Sequence, residues 1–123
     1  MDGTSKVKLT RGEVVLLDLD PRVGREQRGV RPSIVVSDPE TAQSQRFPLI
    51  CVVPVTGTAG EGALYPRLSP GQSGLTKPSY ALIDQLRSVD KRRILRIYGS
   101  ISDAELELLD VGLRLFLGLD DRR

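Results

Sequence analysis

Between Arg22 and Arg31 four arginines fall three residues apart, a spacing that would put them on one stripe of a helix. Pro21, Gly24, Gly29 and Pro32 bar that helix, because a ring-locked φ and flexible backbone break the 3.6-residue period. The cations therefore ride on a loop, with Glu26 and Gln27 among them. Apolar runs flank it on both sides, Val14-Val15-Leu16-Leu17-Asp18-Leu19 before and Ile34-Val35-Val36 after, and both read as strands. A cationic loop held at its ends by two strands suits a phosphodiester backbone, since a guanidinium matches phosphate oxygens two at a time. A solvated hairpin loop is the plainer reading of the same residues.

The remaining apolar runs are also short, rich in Val, Ile and Leu, and separated by turn residues, which predicts a mainly β chain. Strands are expected near 13–19, 33–37, 49–55, 63–68, 80–84 and 96–101. Pro66 confines the fourth to an edge or a bend, and Pro54 belongs at a bulge or an edge, because neither can donate to a ladder. Residues 56–62 and 69–74 read as loops, and Ser88 to Arg93 as a single helical turn capped by Ser88. One helix closes the chain. Ser102 and Glu105 form a capping box, Leu106, Leu109, Leu113, Phe116 and Leu117 make an apolar stripe, and Gly118 is a C-terminal stop. Gly112 within the stripe marks close packing. Such strands with a terminal helix predict a twisted antiparallel sheet curling toward a barrel.

At 123 residues the chain is sized for one domain. We read 1–10 as a flexible arm, 11–119 as the domain and 120–123 as a solvated tail. The absence of an apolar run near 18 residues argues against a membrane span, and a reduced cytoplasm suits the single cysteine, Cys51, inside an apolar run. A net charge of +2 says little by itself. Its distribution says more, with one basic patch at 22–31 and a second at Lys91-Arg92-Arg93 near Arg87 and Arg96. The chain has no histidine, so an imidazole acid–base pair cannot be built, and a lone thiol cannot supply a zinc site. No phosphate-cradling Gly-rich motif ending in Lys-Ser or Lys-Thr occurs.

Taken in order, several segments resemble the MazF/PemK family of toxin ribonucleases. They are Arg11-Gly12-Glu13-Val14, Asp18-Leu19-Asp20-Pro21, and Val23-Gly24-Arg25-Glu26-Gln27-Arg28-Gly29-Val30-Arg31-Pro32. The match resumes at Val52-Val53-Pro54-Val55-Thr56, Gly74-Leu75, and Asp84-Gln85-Leu86-Arg87-Ser88-Val89-Asp90-Lys91. It ends in Ser102-Asp103-Ala104-Glu105-Leu106 and Leu115-Phe116-Leu117-Gly118-Leu119, so it covers about residues 11–119. Arg25 stands where the family often has a small residue, and the loop 57–62 is variable. The resemblance implies an SH3-like barrel of the CcdB/MazF type, assembled as a homodimer. It implies the toxin component of a type II toxin–antitoxin system, an endoribonuclease that cuts single-stranded RNA (mRNA) at short sequences without metal or other cofactor. A small MazE-like antitoxin with a disordered acidic tail is the implied protein partner. The family's catalytic arginine and hydroxyl match Arg31 and Thr56, while Glu26 and Gln27 match positions lining its RNA groove.

Those residue types suit the reaction. RNA carries its own nucleophile, the 2′-hydroxyl, and cleavage places extra charge on the phosphorus oxygens. Arg31 can bind two of these oxygens and the Thr56 hydroxyl can add a hydrogen bond to the same oxygens, each donor being worth roughly 3–4 kcal/mol. The base stays open: a guanidinium holds its proton too tightly to be a good base at neutral pH, and Glu26 is the alternative. Arg25, Arg28 and Lys91 are candidates for holding phosphates, and Tyr65 and Phe47 for stacking bases. The plainer readings are an Arg31 ion pair to Glu26 or Asp38, and a Thr56 that caps a strand end. Two other functions fit the same scaffold: a CcdB-like topoisomerase inhibitor, disfavoured by the lack of a C-terminal Trp, and a non-catalytic RNA-binding module.

Overall fold

The computed structural model describes residues 9–19 and 29–119. In chain order the elements are β1 (Glu13–Asp18), β2 (Val30–Val35), α1 (Pro39–Gln43), β3 (Leu49–Thr56), β4 (Arg67–Leu68), β5 (Ser79–Ala81), β6 (Arg87–Asp90), β7 (Ile94–Ser100) and α2 (Asp103–Leu117). The strands form one antiparallel sheet in the order β4-β5-β3-β2-β1-β7, with β6 paired to the first half of β3. Register shifts where β1 meets β7, at Val14/Val15 and Leu16/Leu17, add the local twist that curls the sheet. This is the curled antiparallel sheet with a C-terminal helix that the sequence predicts.

Alternation along the strands sorts side chains onto two buried faces. Val14, Ile34, Val53 and Val55 lie with Leu109 and Leu113 of α2, together with Leu68 and Ile83. Val15, Leu17, Val35, Val52 and Val89 lie with Leu9, Leu19 and Ala42 of α1 on the other face. Leu9, on the arm side of the expected boundary, is thus packed in a core, and its carbonyl accepts from Gln43 Nε2 (3.0 Å). Arg11 adds a tie between β1 and α2, reaching Asp110 at 2.5 and 3.1 Å while its Nε donates to the Val36 carbonyl. Among the described residues no helix is long and apolar enough to cross a membrane.

Several local expectations change. The strand expected at 63–68 shrinks to Arg67–Leu68 at the sheet edge, directly after Pro66. The 88–93 segment is not a turn capped by Ser88. It is strand β6 followed by a 3₁₀ turn, Lys91–Arg93, whose cap is Asp90 accepting from the Arg92 N–H (2.8 Å). Strand β2 begins at Val30, so Arg31 belongs to a strand rather than to the loop. Helix α1 was not anticipated, although Asp38-Pro39 is a cap followed by proline at the first helical position. Pro54 sits where β3 changes neighbour, between its pairing with β6 and its pairing with β5.

Helix α2 begins as expected, with Ser102 Oγ accepting from the Glu105 N–H (3.1 Å) and Glu105 Oε1 from the Ser102 N–H (2.9 Å). It ends at Gly118 in the left-handed conformation, φ 71°. Phe116 and Leu117, read as part of the core stripe, are instead exposed, because the last turn of α2 runs beyond the buried Leu113. Gly112 is a point of close approach: a Cβ there would collide with Ile83 Cδ1 and stand 2.5 Å from the Ala63 carbonyl oxygen. Alanine outranks glycine inside a helix by about 1 kcal/mol. Here we expect Gly112→Ala to destabilise the fold, by roughly 1–3 kcal/mol of overpacking. Urea unfolding checks this, and an unchanged or raised midpoint would refute it.

Candidate functional site

Arg31 and Thr56 lie 25 positions apart in sequence, and the sheet register relates them. Strands β2 and β3 pair Val35 with Val52, Ile34 with Val53 and Ser33 with Pro54. The pairing ends at Ser33 and Pro54, and Arg31 and Thr56 each lie two residues past it on the face that Ser33 and Pro54 share. Arg31 is opposite Leu17 on β1, Thr56 opposite Tyr80 on β5, and Tyr80 opposite Arg67 on β4. Directly paired residues share one face of a sheet, and neighbouring strands lie about 4.8 Å apart. One row across β3, β5 and β4 therefore reads threonine, tyrosine, arginine, with Arg31 of β2 on the same face. It lies on the face opposite α2, where the apolar filling of Val35 and Val52 gives way to polar groups toward one end.

The local chemistry follows from these positions. The Thr56 hydroxyl oxygen accepts from the Thr58 N–H (3.2 Å), which orients the side chain and leaves its proton to be donated elsewhere. Lys77 runs against Gly57, with Nζ 2.8 Å from where a Cβ would stand. Two buried polar atoms on this face, Ser33 Oγ and Arg87 Nη1, have no hydrogen-bond partner among the described residues. The site thus offers guanidinium, hydroxyl and ammonium donors suited to an anion. No group of three His, Cys, Asp or Glu side chains among the described residues converges to hold a metal.

Comparison with known proteins places the chain in a family. Residues 10–117 fit the family of PemK-like, MazF-like toxins of type II toxin–antitoxin systems. The chain belongs to that family. It is 40% identical over 117 residues to the endoribonuclease MazF9 of Mycobacterium tuberculosis, covering 90% of this chain and 98% of that protein. It is similar in structure to crystalline MazF of Deinococcus radiodurans, with TM-score 0.76 and 28% identity over 92% of this chain and 99% of that one. It is also similar to a chain of the MazE–MazF crystal structure from the same organism, with TM-score 0.73 and 26% identity over 94% and 100%.

Among the other MazF-like site candidates, Arg25, Glu26, Gln27 and Arg28 lie outside the described residues. Lys91 is described and is already occupied. Its Nζ donates to the carbonyls of Ser44 (2.8 Å) and Thr41 (3.3 Å), satisfying the C-terminal end of α1, and partial burial holds its pKa below the usual lysine value. Arg92, Arg93 and Arg96 of the second basic patch are similarly engaged. Arg92 pairs with Asp90, Arg93 donates to the Asp18 carbonyl and Arg96 lies over the Tyr98 ring. Of the stacking candidates, Tyr65 donates its hydroxyl to Asp84 (2.7 Å), which raises its pKa, and Phe47 follows α1. The aromatic that shares the row with Thr56 is Tyr80, which composition could not single out.

Two predictions follow from these contacts. Lys91→Ala is expected to cost roughly 1–3 kcal/mol of stability through the two lost charge-assisted bonds. A variant of wild-type stability but weakened RNA binding would return Lys91 to the site. Asp90 has its carboxyl lowered from 3.8 to about 2 by side-chain hydrogen bonds from Arg92 and by the Arg92 N–H. A lowered folded-state pKa means that its stabilising contribution is complete above the ordinary value and is lost as pH falls through about 2. A carboxyl NMR titration checks this, and a midpoint near the ordinary value would refute it.

Proposed function

We propose that this chain is the toxin of a type II toxin–antitoxin pair and an endoribonuclease that cuts single-stranded RNA without a metal ion. What supports the reading is that Arg31 and Thr56 lie on one face of the sheet, each two residues beyond the Ser33–Pro54 pair that joins β2 to β3. A strand-held guanidinium and a hydroxyl can then reach the same phosphate. In the reaction the 2′-oxygen attacks phosphorus, its proton passes to a base, and the P–O5′ bond breaks with protonation of the departing oxygen. The products are a 2′,3′-cyclic phosphate and a 5′-hydroxyl. Arg31 neutralises charge on the equatorial oxygens and Thr56 adds a hydrogen bond, as fixed donors aimed at charge that grows in the transition state. Glu26 is the candidate base, with Arg25, Gln27 and Arg28 along the strand of RNA. We assign Lys91 to the fold rather than to the substrate.

The similarity to MazF9 and to MazF in a MazE–MazF complex supports both the activity and an antitoxin partner. It favours this reading over topoisomerase inhibition. We read 11–119 as the working domain in a cytoplasmic homodimer. The exposed Leu95, Leu108, Val111 and Phe116 supply apolar surface that a second copy would cover.

Incubating the purified chain with total RNA in EDTA and sequencing the new 5′ ends tests the activity. Cleavage should persist with the chelator and stop when the scissile nucleotide is 2′-deoxy. Arg31→Ala and Thr56→Ala should each lower the rate at least about a hundredfold with the fold intact by circular dichroism. Chelator sensitivity, or cutting of the deoxy substrate, would overturn the reading.

A further inference from the structure

The cross-strand row continues past Thr56. Tyr80 is opposite Thr56 and Arg67 is opposite Tyr80, so both side chains stand on the face that carries Arg31. Their neighbours in sequence confirm the facing: Leu68 and Ala81 are buried in the α2-side core, whereas Arg67 is exposed and Tyr80 half-buried. From Arg31 to Arg67 the sheet spans three strand spacings, about 14 Å, too far for one phosphate to engage both guanidinium groups at once. Lys77 brings a further cation to the end of β3. Its Nζ lies over Gly57, the residue after Thr56, in space that any side chain at 57 would fill. The Lys77 carbonyl accepts from Ser79 Oγ (3.0 Å), which ties the lysine backbone to β5. Arg67 and the Tyr80 ring thus lie beyond Thr56 on the side away from Arg31, and Lys77 lies just past Thr56 at the end of β3.

We infer that Tyr80, Arg67 and Lys77 form a nucleotide subsite beside the scissile phosphate. Arg67 and Lys77 hold the adjoining phosphodiester of the RNA strand, and the Tyr80 ring offers a face to its base. The proposal rests on the RNA-cleaving reading for the register of the strand but not for its own test. Contacts of this kind are insensitive to base identity, since every base has a π-face and every nucleotide a phosphate. They contribute grip, leaving sequence choice to other loops.

The test uses the full chain and an oligonucleotide containing the mapped cleavage sequence, 2′-deoxy at the scissile nucleotide so that it binds uncut. Affinity is measured against salt concentration. Arg67→Ala and Lys77→Ala should each flatten the log–log slope by about 0.7, the loss of one phosphate contact to a single strand. Gly57→Ala, which evicts the Lys77 side chain without removing its charge, should flatten it in the same way. Tyr80→Ala should weaken binding roughly tenfold, and Tyr80→Phe should restore it. Arg114→Ala, which removes the same charge from α2 behind the sheet, should leave the slope at the wild-type value. Wild-type slopes in Arg67→Ala and Lys77→Ala would overturn the subsite. If the all-ribose oligonucleotide is cut while those slopes stay unchanged, only the subsite falls. If it is bound and never cut, the cleavage reading falls, and the slopes still decide the subsite.

Discussion

The register between β2 and β3 is the constraint from which the rest of the site follows. Both faces of these strands are apolar through Ile34, Val35, Val52 and Val53, so burial alone would tolerate a slip by one residue. Pro54 removes that tolerance. Its carbonyl accepts from the Leu82 N–H (2.8 Å), which turns its nitrogen toward the gap where β3 exchanges β6 for β5. There the missing N–H costs nothing. A one-residue slip reverses both the face and the hydrogen-bonding direction of every residue. It would point the proline nitrogen at β2, delete a ladder bond and carry Arg31 into the apolar face beneath α2. The residue least suited to a central strand is therefore the one that keeps arginine and threonine on one face.

With the register fixed, the electrostatics of the face follow. Polar side chains gather where the apolar filling of the α1-side core runs out, beyond Val35 and Val52. Arg31 and Arg67 lie on that face and Lys77 at the end of β3, while Lys91, Arg92, Arg93 and Arg96 bond to carbonyls, a carboxylate and a ring elsewhere. The local sign of the potential is thus set by position and not by the small net charge. A face of this kind raises the local concentration of a polyanion and makes its capture sensitive to salt.

What was legible in the sequence is what local chemistry determines. The capping box of Ser102 and Glu105, the left-handed Gly118 and the tight approach at Gly112 all depend on residues within one helix and its immediate contact. The strand runs were legible for the same reason, as were the pairing-averse Pro54 and Pro66. The bonds that Lys91 makes were not legible, because a basic triplet looks the same whether its ammonium faces solvent or closes the end of a five-residue helix. Tyr80 and Arg67 were not legible at all. Nothing within either short strand marks them, and their nearness to Thr56 arises only when β3, β4 and β5 pair.

Holding Arg31 on a strand rather than a loop has an energetic consequence. A guanidinium on a flexible loop must lose backbone as well as side-chain freedom when it meets the transition state, and ordering the backbone of a single residue costs about 1–2 kcal/mol. In β2 that entropy is already lost on folding, through the pairing of Arg31 with Leu17 on β1. Thr56 is prepared in the same way at the end of β3, with its hydroxyl turned by Thr58. Donors fixed before substrate arrives spend less of their interaction on reorganisation, so more of it lowers the barrier. On the proposed reading, a chain without histidine can stabilise charge growing on phosphorus through donors held by the sheet, while proton transfer still falls to a separate group.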